Sequence, residues 1–117
     1  MFLDMRVRVL DDDSEIVFGP GLVTLLEHIK TSDSMKEACS NMGISYSKGW
    51  KIINRAEKCL GYDLILRQHG GSKGGKCNVT HEGDSLVRRY KNMMDILQKE
   101  SDEIFLDNFP EYKNEDN

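Results

Sequence analysis

The sequence predicts a mainly α fold with minor β content (α+β), a winged helix-turn-helix, and three observations point to it. A capped segment of about eight residues, a Gly-Ile-Ser turn and a longer amphipathic segment with a basic outer face follow one another between residues 34 and 60. Two short apolar runs separated by a glycine- and lysine-rich loop come next, between residues 64 and 79. The charge is partitioned: residues 1–44 carry a net −4, residues 45–78 a net +5 and residues 79–117 a net −5. The overall −4, taken alone, argues against nucleic acid. A basic block set between acidic ones is instead the footprint of a local polyanion contact, because a merely solvated surface mixes its signs.

The elements follow in order. Met5 to Leu10 alternates apolar and charged residues, Asp11-Asp12-Asp13-Ser14 is a turn and Glu15 to Phe18 resumes an apolar run, which together predict an N-terminal β-hairpin. Gly19-Pro20-Gly21 breaks the strand and offers proline at a first helical position. The helix it opens runs to about Lys30, with Leu22, Leu25, Leu26 and Ile29 inward. Ser34 with Glu37 reads as a reciprocal capping box for a second helix ending at Gly43, with Met35, Ala38, Cys39 and Met42 inward. Ser45 caps a third helix whose apolar side is Tyr46, Gly49/Trp50, Ile53, Ala56 and Leu60. Leu64-Ile65-Leu66 and a strand around Val79 flank the loop as a two-stranded wing. Thr80 caps a long C-terminal helix, about residues 81–106. Its stripe Leu86, Val87, Tyr90, Met93, Met94, Leu97, Ile104 and Phe105 is longer than one small domain can cover.

Length and composition bound the rest. With 117 residues, 38% hydrophobic and 31% charged, the chain is one globular domain, residues 1–106, followed by a flexible acidic tail, residues 107–117. No window approaches the ~18 apolar residues of a membrane span, and the start lacks the core of a signal peptide, so a cytoplasmic location is expected. Cys39, Cys59 and Cys77 form no C-x-x-C pair and read as reduced structural thiols, with neither disulfide nor zinc site. The glycine loop ends Gly75-Lys76-Cys77 and leads into a strand, which fails the phosphate-loop pattern. His28, His69 and His81 have no metal spacing, and no nucleophile, base or paired acids are arranged for catalysis. Neither an enzyme nor a cofactor is expected.

The candidate site is therefore a DNA face on the third helix and the wing. The outward residues Ser45, Ser47, Lys48, Lys51, Asn54, Arg55 and Lys58 are the recognition-helix candidates, with Ser47, Lys48, Lys51 and Asn54 best placed to read bases, since lysine can donate to guanine and an amide can pair with adenine. The wing candidates are Arg67, His69, Ser72, Lys73 and Lys76. Tyr46 and Trp50 read as core pins. Met93, Met94, Leu97, Ile104 and Phe105 are candidates for homodimerisation, since a second chain would cover the unpartnered half of the stripe. A winged-helix protein-interaction module, or an accessory regulator without an operator of its own, remains the alternative.

Three stretches carry a family resemblance: Gly43-Ile44-Ser45-Tyr46-Ser47-Lys48-Gly49-Trp50, Gly70-Gly71-Ser72-Lys73-Gly74-Gly75, and Val79-Thr80-His81-Glu82-Gly83. They resemble the N-terminal DNA-binding domain of the ModE family of molybdate-responsive regulators, and Phe18-Gly19-Pro20-Gly21 resembles the start of that family's first helix. The run from Ala38-Cys39 through Leu60-Gly61 to Leu64 and Arg67 is similar to LysR-type regulators as well. The resemblance implies a transcriptional regulator that binds operator DNA as a dimer, of molybdate-transport or molybdoenzyme genes, with the third helix in the major groove and the wing on backbone or minor groove. Gly49 stands where the family has alanine, a difference worth about 1 kcal/mol of helix propensity. The family's oxyanion-binding domain lies downstream of this region, so direct molybdate binding by these residues is not expected.

Overall fold

The computed structural model describes residues 1–67 and 76–113. The elements run β1 (Val9–Leu10), β2 (Ile16–Phe18), α1 (Pro20–Ser32), α2 (Met35–Met42), α3 (Tyr46–Leu60), β3 (Ile65–Arg67), β4 (Cys77–Val79) and α4 (His81–Asn108), with a 3-10 turn at Pro110–Tyr112. β1 and β2 pair antiparallel, as do β3 and β4, with Ile65 opposite Val79 and Arg67 opposite Cys77. The winged helix-turn-helix expected from the sequence is the fold observed.

The core forms where the inward faces of α1, α2 and α3 meet the base of the wing. Leu22, Leu25, Leu26 and Ile29 of α1 pack with Met35, Ala38 and Cys39 of α2, Ile53 and Ala56 of α3, and Leu64, Ile65, Cys77, Leu86 and Tyr90. The turn between α2 and α3 is tight because Gly43 adopts φ +68°, open to glycine at no steric cost. The amides of Gly43 and Ile44 return to the carbonyls of Ser40 and Cys39, a hydrogen-bonded helix end. Ser45 then starts α3 by accepting a 3.1 Å hydrogen bond from the Lys48 amide.

Three local expectations are revised. The capping box of α2 is half formed: Ser34 Oγ accepts from the Glu37 amide at 3.1 Å, but the Ser34 amide donates to Ser32 Oγ instead of to Glu37. The alternating segment from Met5 to Arg8 is not strand, and within it the Val7 carbonyl is taken by α4. Tyr90 Oη donates to the Val7 carbonyl and Gln98 Nε2 to the Leu3 carbonyl, each at 2.7 Å. Finally, α4 continues to Asn108, past the expected end at 106. The stretch assigned to a flexible tail begins instead with an ordered turn, in which Phe109 and Tyr112 stack on Phe105 at 5.3 and 6.0 Å.

Two features seat α4 on the domain. Thr80, buried, accepts from the Gly83 amide at 2.9 Å and donates to the Asp63 carbonyl at 2.7 Å. Gly83 lies so close to the wing that a Cβ there would sit 2.7 Å from both the Leu64 carbonyl oxygen and Val79 Cγ1, which gives the threonine-to-glycine motif its physical reason. At 28 residues, α4 is about 42 Å long by the standard rise, and it accounts for the elongation of a molecule measuring 61 × 34 × 24 Å.

Candidate nucleic-acid interface

α3 buries Gly49, Ile53 and Ala56, and its remaining surface divides into three strips. Lys48, Ile52 and Arg55, at intervals of four and three, face the N-terminal hairpin: together with Lys51 they line one groove with Arg8, Phe18 and Pro20. Trp50, Asn54 and Glu57, at the same intervals, face β3 through Arg67. Between these flanks the helix presents Ser47, Lys51 and Lys58, all exposed. α3 thus lies between two hairpins, with its cations outward.

The flank toward the wing is held by a single acid. Glu57 Oε2 accepts from the amides of Leu64 (2.8 Å) and Ile65 (3.3 Å), while Oε1 accepts from Arg67 Nη2 at 3.1 Å. The Arg67 guanidinium also donates to Asn54 Oδ1 at 3.0 Å and lies 4.6 Å from the centre of the Trp50 ring. Arg67 and Asn54, both DNA candidates from the sequence, are therefore engaged with each other, and a bidentate amide–adenine pairing would require Asn54 to release Arg67. In sequence Glu57 is simply the single acid of α3, set among its cations. Its part in fastening β3 to α3 is a tertiary relationship that no local pattern announces.

Among the described residues, Lys48, Lys51, Arg55, Lys58 and Lys76 are exposed and make no ion pair, which leaves them available to phosphate. Ser45 is committed to capping, and Ser47 is exposed on the outer strip. His69, Ser72 and Lys73 lie outside the described residues. Tyr46 is not the core pin expected: it is 52% exposed, because it is the first residue of α3 and precedes the point where the helix meets α2. Trp50 is half-buried, with Tyr46 edge-on to it at 6.3 Å. Burial pushes the Cys77 thiol up to about 11, opposed by Arg67 and reinforced by Glu57, and burial raises Cys39 against a hydrogen bond from the Gly49 backbone. The described residues contain no group of acids, histidines and cysteines able to hold a metal ion. None of their helices is long and apolar enough to cross a membrane.

The dimer candidates on α4 separate into two sets. Met93 and Met94 pack partly against the domain's own core, and Phe105 is covered by the terminal turn. Leu97 is half-buried, whereas Ile104 is 57% exposed, as is Ile96 at 55%, a residue the stripe had not included.

Four helices with a wing after the third define a class, the winged helix fold of LysR-type DNA-binding domains. The CbnR DNA-binding domain, solved with DNA, superposes with a TM-score of 0.55 at 16% identity, covering 71% of this chain and 90% of that one. The BenM DNA-binding domain on benA site 1 DNA gives 0.51 at 18% identity, covering 68% and 83%. In sequence the chain is similar to ModE regulators, as its motifs suggest. It is 34% identical over 83 residues to the DNA-binding transcriptional dual regulator ModE of Escherichia coli (strain K12), covering 71% of this chain and 32% of that protein. To the ModE transcriptional regulator of Yersinia pestis it is 31% identical over 91 residues, covering 78% and 35%. The chain thus spans about a third of the length of these curated relatives. No protein-family model matches it.

Proposed function

We propose that the chain is a sequence-specific DNA-binding transcriptional regulator of the ModE kind, acting in the cytoplasm as a homodimer on operator DNA. The observation that carries this reading is the strip of unpaired cations on α3, set between two hairpins on a chain whose relatives are regulators. α3 enters the major groove, where Ser47, Lys51 and the lysines beside them reach base edges and phosphates. Lys76, and Lys73 with His69 and Ser72 in the loop, extend the contact along the backbone. Neutralised phosphates release counterions, so the logarithm of affinity falls against the logarithm of salt with a slope of about −0.9 per phosphate. The acidic remainder repels DNA elsewhere and leaves one productive face.

Homodimerisation through α4 places two recognition helices about one DNA turn apart. The exposed pair Ile96 and Ile104, eight residues apart, with Leu97 beside them, is the surface a second α4 would cover. Sedimentation at tens of micromolar tests this part, with a dimer expected for the chain and a monomer for Ile104→Glu. Selection of bound fragments from the source genome tests the whole. Enrichment upstream of molybdate-transport or molybdoenzyme genes is the result expected, and salt-insensitive binding without enrichment would favour a protein-interaction module.

A further inference from the structure

The groove between the N-terminal hairpin and α3 has a volume of about 310 Å³, an apolar floor and a cationic rim. Phe18, Pro20 and Ile52 form the floor, and Arg8, Lys48 and Arg55 stand on the rim with Lys51. None of these cations has an ion pair among the described residues, and no acid lines the groove. The first turn of α1, which forms one wall, carries neither a side-chain cap nor an acid that would compete for them. Arg8 reaches this position because its stem lies on Gly19: a Cβ there would come within 3.1 Å of Arg8 Cγ.

We infer that this hairpin is a second wing, and that the groove takes a sugar-phosphate segment of the DNA backbone. The occupant the groove calls for is amphipathic and anionic. A deoxyribose suits the apolar floor, and its phosphodiester suits a rim of two guanidinium and two ammonium groups. Position supports the same occupant, because Lys48, Lys51 and Arg55 belong to the helix whose outer strip meets the major groove, and the backbone borders that groove. Arg8 lies 37 residues before the basic block of residues 45–78 and is brought to its edge only by the fold. The inference rests on the DNA-binding reading above, and adds a contact on the side of α3 opposite Arg67.

The test uses the full chain and a mixed-sequence duplex of about 30 base pairs, with affinity followed by fluorescence anisotropy between about 50 and 200 mM salt. Arg8→Gln lowers the magnitude of the salt slope by about 0.9 per bound chain, while Arg8→Lys, which keeps the charge, preserves it. Lys99→Gln removes the same charge from an exposed site on α4 and leaves the slope unchanged. Equal slopes for Arg8→Gln and Lys99→Gln, with the parent chain still binding steeply, would overturn the second wing alone and give the groove to an apolar ligand or a protein. A parent chain with no salt-dependent affinity would overturn the DNA-binding reading together with it.

Discussion

The space a side chain would need at Gly49 is filled by Sγ of Cys39, with Met35 Sδ at 3.5 Å beside it. α2 and α3 cross on this contact, and the crossing sets the direction of α3. On helix propensity alone glycine is a weak choice at this position, about 1 kcal/mol worse than alanine. The thiol opposite makes it a requirement.

Gly49→Ala is therefore destabilising despite its better propensity, by about 1–3 kcal/mol of overpacking. Cys39→Ala/Gly49→Ala recovers most of that loss, because the new methyl occupies the volume the sulfur vacates. Urea unfolding of the two variants and the parent gives the comparison. A Gly49→Ala protein more stable than the parent would mean that α2 and α3 can separate freely.

Glu57→Ala leaves the Leu64 amide without its acceptor and costs about 1–3 kcal/mol. Arg67→Ala costs less, about 0–1 kcal/mol, because the guanidinium is part exposed and its ion pair is screened. Thermal unfolding ranks the two. Hydrogen exchange at the Leu64 amide should quicken in the first variant and stay slow in the second.

Lys51→Ala and Arg55→Ala each weaken DNA binding and lower the salt-slope magnitude by about 0.9. Neutralising Asp107 and Glu111, beyond or at the end of α4, changes neither quantity. Gel shifts on a cognate fragment that ignored both basic changes would displace α3 as the recognition helix.

Thiol chemistry separates the three cysteines. At pH 8 an alkylating reagent modifies exposed Cys59 first, while Cys39 and Cys77 are buried and protonated. For Cys77 the folded state holds its proton more tightly than the unfolded one, where the thiol has its ordinary value of 9.0. Its contribution to stability is whole below about pH 9 and is lost as pH rises towards 11. Tyr90, also raised by burial, acts in the same sense at higher pH. A urea midpoint that falls over this range in the parent should fall less in Cys77→Ala.

Much of this was legible in the order of residues. Ser45, Gly43 and Thr80 announce their caps because capping is local chemistry, and the inward positions of α1 and α3 follow from helical spacing. What was not legible depends on distance in the fold. The Val7 carbonyl goes to α4 instead of to a strand partner, Arg67 turns inward to Glu57 and Asn54, and Tyr46 stays exposed although it continues the apolar spacing of α3. The candidate site stays centred on α3, but periodicity could not distinguish a cation free for phosphate from one already neutralised.

The first seven residues form a strap held to α4 at Leu3 and Val7. Tyr90 and Gln98 grip it by main-chain carbonyls, which every amino acid supplies, so substitutions at Leu3 and Val7 leave these two bonds intact. The demanding partners are on the helix: Tyr90→Phe removes one anchor outright. Since the strap leads within one residue to Arg8, its anchorage on α4 also bears on where Arg8 stands in the groove beside α3.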